Sequence, residues 1–443
     1  MVMLEARGDL VDRYGVRRSD DGPTTVPKAR YVDAEYDTLE RRHLWPRVWQ
    51  MACLTTDVAA PGDWIEYRMA DQSIIVLRDL DGQLRAFHNV CSHRGFKLCE
   101  GVGRAADGNL RCGYHGWRYD LDGTIREITS QRGFGHIERE RYGLRPVRIG
   151  AWEQMVFVNP APDGAPLDEF LDPLPRVLAP FALGERVCTF RCTLAMQGNW
   201  KVTVDAFNEV YHLQGLHPQL LSMMDDVHTT YQVFERGHSM MQIPLGVASP
   251  RLGPLGDEAV AEALHQNYGT MFGERGEGPI QLANRSAREY AVSRVRQRCA
   301  DSGVDISDLR DDQVIDDFHV LAFPNLIFNT HSEMHTLFRA RPGVIPGKSS
   351  FDFFLFHRLP SRADGNGLGA DETRLGTGRA KGPLDHVDYP EGGRITEVLD
   401  QDLDGIARVH AGLLSAGISD VSFADFECRL TAMHTELDQY LFG

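Results

Sequence analysis

The sequence predicts an α+β protein: a small antiparallel β domain, then a larger α+β domain with a central antiparallel sheet and helices. Three observations carry this expectation. The chain has 443 residues, too many for one small core. Its first third holds two Asp-Gly turns flanked by β-formers. The remainder mixes long Gly- and Pro-free stretches with short apolar runs.

Residues 1–45 read as an N-terminal arm. Met1 to Arg17 alternates charged and apolar residues and lacks the apolar core of a secretory signal. Residues 46–160 form the small domain. There Trp64–Tyr67 and Ser73–Leu77 read as strands, Asp81-Gly82 turns into Leu84–Phe87, and Asp122-Gly123 follows Trp117–Tyr119. A Pro-rich connection (Pro160, Pro162, Pro166, Pro173, Pro175) leads into the larger domain, 161–443. In it, 257–318 read largely as helix, Leu321–Phe328 and Phe351–Phe356 as buried strands, Arg362–Gly393 as a mobile surface loop, and Glu397–Leu441 as helix again.

Hydrophobic residues at 42% and charged residues at 25% are ordinary globular values. A net charge of −16 argues against nucleic acid as a partner, because phosphate binding needs clustered cations. No apolar run approaches the ~20 residues that span a bilayer, so a soluble, cytoplasmic protein with no membrane partner is expected. Eight cysteines are too few for a disulfide scaffold and suit metal ligands or buried thiols. Cys53, Cys99, Cys188, Cys192, Cys299 and Cys428 have no partner at ligand spacing and read as structural.

The other two cysteines stand in Cys91-Ser92-His93 and Cys112-Gly113-Tyr114-His115, each beside a predicted hairpin. A [2Fe-2S] centre with two thiolates on one iron and two imidazoles on the other needs this set. Zinc also takes Cys2His2, but zinc fingers place like ligands close together in sequence, whereas here each half carries one of each. With Arg94-Gly95 and Gly116-Trp117 included, the two motifs resemble the Rieske domain of the aromatic-ring-hydroxylating oxygenases. The resemblance covers roughly residues 45–240 well and the C-terminal part more loosely. Arg94, Lys97, Arg104, Arg111 and Arg118 outnumber Glu100 and Asp107 in this region, a local positive patch that could steer an acidic electron donor.

The segment from Asn199 to Pro218 looks like the iron-binding helix of the same family. On a helix Asp205, Glu209 and His212 lie along one stripe. His217, about 140° further round, requires the helix to distort or end near Gly215. Two imidazoles and one carboxylate on Fe(II) leave positions for O₂. The resemblance implies a late acidic ligand, here among Asp400, Asp402 and Asp404. Val398, Leu399, Leu403, Ile406, Val409 and Leu413 define an apolar arc that contains Asp402, which is therefore the choice.

The resemblance further implies that Glu209 links His212 to His115 of the next chain in a head-to-tail homotrimer, with or without a small β subunit (α3β3), because cluster and iron within one chain are too far apart for efficient transfer. It departs at Asp205-Ala206-Phe207, where many relatives carry Asn, and at His410, where late helices often have Gln. It implies a terminal oxygenase that draws NAD(P)H electrons through a reductase, with or without a ferredoxin, and hydroxylates or dihydroxylates a small hydrophobic, aromatic substrate. The alternatives are a monooxygenase or O/N-demethylase and, distantly, an electron carrier. Phe207, Leu220, Leu221, Met223, Met224, Phe323 and Phe338 are the expected pocket walls.

Overall fold

The computed structural model describes Arg13 and residues 24–272, 280–358, 387–389 and 394–443. The chain separates into two compact units, one of Met1–Asp37, Pro173–Pro342 and Pro346–Gly443, the other of Thr38–Asp172 with Gly343–Ile345. Of the expected arm 1–45, Arg13 and residues 24–37 thus fall in the larger unit. There β1 (Thr25–Pro27) pairs with a late strand, Asp420–Ser422.

The smaller unit contains β2 (Gln50–Leu54), β3 (Asp63–Met69), β4 (Gln72–Arg78), β5 (Leu84–His88), β6 (Val102–Arg104), β7 (Asn109–Arg111), β8 (Arg118–Asp120), β9 (Ile125–Glu127), β10 (Arg148–Trp152) and β11 (Met155–Asn159). They form three antiparallel sheets in the orders β5-β4-β3-β6, β7-β8-β9 and β10-β11-β2. Both Asp-Gly turns form where expected, with Gly82 at φ +79° and Gly123 at φ +90°. Position 123 needs glycine for space as well, since a Cβ there would lie 2.4 Å from the Phe87 ring. The core of this unit collects Ile75, Leu77, Phe87, Leu110, Trp117 and Tyr119 around Cys91 and Cys112.

The larger unit is built on an eight-stranded sheet of β12 (Arg186–Met196), β13 (Thr230–Val233), β14 (Ser239–Ile243), β15 (Asp317–Ala322), β16 (Leu326–Thr330), β17 (Met334–Pro342), β18 (Ser349–Arg358) and β19 (Val387–Tyr389). Its order is β13-β14-β15-β16-β17-β18-β12-β19, antiparallel except for the parallel β12–β19 pair. Fully buried Asp352 joins β18 to β17 by taking both Arg339 and Arg341 at 2.7 and 2.6 Å. Helices α1 (Trp200–Ala206), α2 (Leu213–Leu216), α3 (Asp257–Phe272), α4 (Ala287–Asp301), α5 (Glu397–Leu413) and α6 (Cys428–Phe442) complete the elements used below. No described helix is long and apolar enough to cross a membrane.

The structure corrects three expectations about local structure. Leu321–Phe328 is not one strand: Phe323, Pro324 and Asn325 turn the chain between β15 and β16. Glu397–Leu441 is not one helical stretch, because β20 (Asp420–Ser422) lies between α5 and α6 and pairs with β1. The loop expected at Arg362–Gly393 lies outside the described residues apart from Val387–Tyr389, which form β19.

Candidate metal centres

The two Cys-His loops of the smaller unit repeat one backbone design. The Cys91 amide donates to the Phe96 carbonyl and the Gly95 amide to that of Cys91; likewise the Cys112 amide donates to Trp117 and the Gly116 amide to Cys112. Each loop closes on a glycine in the left-handed region, Gly95 at φ +76° and Gly116 at φ +79°. The result sorts the side chains by type. The two histidine rings lie 4.6 Å apart, and the Cys91 thiol faces that of Cys112.

Burial pushes the Cys91 thiol up, while the Tyr119 hydroxyl 3.1 Å from its sulfur opposes that. His93 stacks on Trp117 at 4.8 Å, and its Nδ1 is buried without a hydrogen-bond partner. Paired buried thiols beside paired imidazoles, one with an orphaned nitrogen, fit a [2Fe-2S] cluster ligated by type. Around it Lys97 pairs with Glu66 and Arg104 with Asp63, so part of the expected positive patch is neutralised locally.

In the larger unit the expected continuous iron helix is broken. Asn199 caps α1 by accepting from the Lys201 amide, but the helix ends at Ala206 and α2 begins only at Leu213. Residues 207–212 are non-helical, so Asp205, Glu209 and His212 share no stripe. Asp205 instead accepts from the Tyr31 hydroxyl at 2.6 Å, and that hydroxyl also lies 3.0 Å from His434 Nε2. Glu209 reaches His212 by another route: its Oε1 lies 2.7 Å from His212 Nδ1, and its Oε2 accepts from the His212 amide at 3.0 Å. As expected, the helix stops before Pro218, and His217 turns inward at φ −124°, ψ 51°.

His212, His217 and Asp402 bring one ligand atom each within 4.8 Å of one another. Asp402 Oδ1 lies 2.7 Å from His217 Nε2 and 3.6 Å from His212 Nε2. On α5, Asp402 is buried, whereas exposed Asp404 pairs with Arg394 and Asp400 accepts from the Ile395 amide. Val409, expected in the buried arc, is exposed. Glu209 holds Nδ1 of His212, while His217 Nδ1 lies 2.7 Å from Gln401 Oε1, which Gln219 also contacts. Both imidazoles therefore turn Nε2 toward Asp402, a donor set and geometry that fit a divalent iron. Burial pulls the His212 imidazole down, but Glu209 and Asp402 more than offset it, so its pKa ends above the ordinary value.

Gln401 carries no sequence signal of its own, since only the fold brings it to His217. Gln401→Ala is expected to weaken Fe(II) binding by about 10–100-fold, the usual cost of losing a support to a metal-ligating histidine. Titration of the iron-depleted protein with Fe(II), with sulfide content unchanged, checks this.

A cavity of about 320 Å³ opens beside His212 and Asp402, with Asp205 and Glu209 in its wall and Leu216, Ile406 and Phe423 as apolar lining. None of the expected wall residues lines it. Leu220, Leu221, Met223 and Met224 are buried in the core, and Phe207 packs on Phe338 at 4.7 Å.

Residues 48–139 match the family model described as Rieske [2Fe-2S] domain, and residues 188–443 match that of the ring-hydroxylating alpha subunit (catalytic domain). The glycine betaine monooxygenase oxygenase subunit of Pseudomonas aeruginosa is 30% identical over 214 residues, 47% of this chain and 49% of that one. The carnitine monooxygenase oxygenase subunit of Escherichia coli is 30% identical over 196 residues, 44% of this chain and 52% of that one. The chain thus spans about half the length of these curated relatives. The crystal structure of the quaternary ammonium Rieske monooxygenase CntA with L-carnitine shares the fold, with a TM-score of 0.64 at 18% identity, over 95% of this chain and 96% of that one. With the catalytic-domain match covering more than half its length, and with residues that fit both a [2Fe-2S] cluster and a mononuclear iron, the chain belongs to the ring-hydroxylating α-subunit family of Rieske oxygenases.

Proposed function

We propose that the chain is the oxygenase component of a monooxygenase that acts on a quaternary ammonium compound. The observation that carries the reading is the His212, His217 and Asp402 triad in a chain that also holds the paired Cys-His loops. An electron carrier would have no use for the triad. The relatives named for glycine betaine and carnitine favour monooxygenation, the alternative raised above, over dihydroxylation of an aromatic substrate.

A Rieske cluster supplies single electrons and a mononuclear Fe(II) supplies the chemistry of O₂. We assign Cys91, His93, Cys112 and His115 to the first and His212, His217 and Asp402 to the second. Glu209 orients His212 through Nδ1, and Gln401 does the same for His217. We assign Glu209 also to the link with His115 of a neighbouring copy in a homotrimer, and Asp205 to the wall of the cavity beside the triad. Electrons come from NAD(P)H through a separate reductase, with or without a ferredoxin, in the cytoplasm.

The test is turnover of glycine betaine and carnitine with NADH, a reductase and ¹⁸O₂. One labelled oxygen in the oxidised carbon fragment supports the reading. Two labelled oxygens in an aromatic diol, with no oxidation of either ammonium compound, overturn it.

A further inference from the structure

Opposed residues of an antiparallel pair share a face. The register therefore lines up Asp317 and His319 of β15, Asn329 of β16 and Thr336 of β17 on one face, through the pairs His319–Asn329 and Asn329–Thr336. His331, just past β16, joins them with Nε2 3.6 Å from Asp317 Oδ1, while His319 Nε2 lies 3.2 Å from Asp317 Oδ2. Asp317, His331 and His319 are only 3, 4 and 9% exposed.

This face turns toward the iron-holding segment. Met241 and Ile243, which oppose His319 and Asp317, share a core with Val210 and Leu213, which flank His212. Phe338, two residues beyond Thr336, packs on Phe207. Tyr268 of α3 sits with its ring 6.3 Å from His331. Its hydroxyl is pushed up by burial, then by the carboxylates of Asp317 and Asp402.

Five atoms of the stripe are buried without a hydrogen-bond partner: Asp317 Oδ1, His319 Nδ1, His331 Nδ1, Asn329 Oδ1 and Thr336 Oγ1. Such atoms are costly when they serve nothing, so several on one face mark a lining with a ligand to meet. Their character is uniform. With each histidine turning Nε2–H toward Asp317, both Nδ1 atoms present lone pairs, as do the amide oxygen and the hydroxyl. Burial holds His331 below the ordinary imidazole value, which favours the neutral ring with its Nδ1 lone pair. Arg186, whose charge His331 also feels, is committed to the carbonyls of Phe181, His331 and Ser332. A surface of acceptors around one carboxylate suits a cation and repels an anion.

We propose that Asp317, backed by His319, Asn329 and His331 and faced by Tyr268, is the specificity-determining subsite that binds the cationic head group of the substrate. The proposal rests on the oxygenase reading above. The carboxylate supplies the charge, and the Tyr268 ring supplies a face on which an alkylammonium can pack.

The experiment is calorimetric binding to the holoenzyme of choline and of its uncharged isostere, 3,3-dimethylbutan-1-ol. Wild type is expected to bind choline at least about tenfold tighter than the isostere. Asp317→Asn is expected to lose at least about tenfold for choline and little for the isostere. Should Asp317→Asn not fold, Tyr268→Leu decides in its place, with a several-fold loss confined to choline. Equal binding of the two probes by wild type, or unchanged choline binding by the folded variants, overturns the subsite. Iron and sulfide content and NADH-driven oxidation by wild type report separately on the oxygenase reading.

Discussion

His212→Ala is expected to lower iron from about three to about two per two acid-labile sulfides and to reduce turnover to background. His212 Nε2 and His217 Nε2 are the only imidazole donors in the described cluster around Asp402. Removing one leaves a single imidazole and a carboxylate, too few to hold a divalent iron against water. The loss should exceed the ~10–100-fold that follows from removing a supporting contact. Because the substitution lies in the larger unit, the electron paramagnetic resonance signal of the reduced cluster should not change. Metal analysis of anaerobically prepared protein decides the matter, and an iron content equal to that of wild type would remove His212 from the ligand set.

Glu209→Ala has the second largest expected effect, of a different kind. Glu209 meets His212 twice, at Nδ1 and at the backbone amide, in the stretch where the chain leaves α1 and has no helical hydrogen bonds to hold it. Losing the carboxylate frees the imidazole to rotate and removes the proposed link to the neighbouring copy. Turnover is expected to fall by about 10–100-fold while chemical reduction of the cluster keeps its rate. Glu209→Gln retains an acceptor for Nδ1–H without the charge and should recover part of the loss. Rapid mixing of the reduced enzyme with substrate and O₂ measures the step directly. Reoxidation of the cluster at the wild-type rate in Glu209→Ala would confine Glu209 to a structural role.

What the sequence disclosed follows the range of the interactions involved. The Cys91–His93 and Cys112–His115 motifs were legible because each is made within a few residues, closed by a glycine whose conformation the spacing demands. Asp402 was legible because a carboxylate inside an apolar arc is costly unless something meets it. The break between Ala206 and Leu213 was not, since Asp205, Glu209 and His212 stand at helical spacing, while the pull of Tyr31 on Asp205 comes from a residue 174 positions away. The polar stripe around Asp317 was hidden for a similar reason. Asp317, His319, Asn329 and Thr336 look like scattered polar residues until strand register sets them side by side. The expected apolar pocket failed because Leu220, Leu221, Met223 and Met224 satisfy one another in the core.

The matched backbone of the two Cys-His loops bears on how the cluster is built in the cell. On the assignment proposed above, each loop gives one thiolate to one iron and one imidazole to the other. Neither loop alone carries the two thiolates or the two imidazoles that either iron would take. Loading of the cluster would therefore draw on both loops together. The cradle they form keeps its shape by itself, since the amides at Cys91, Gly95, Cys112 and Gly116 are committed within the loops.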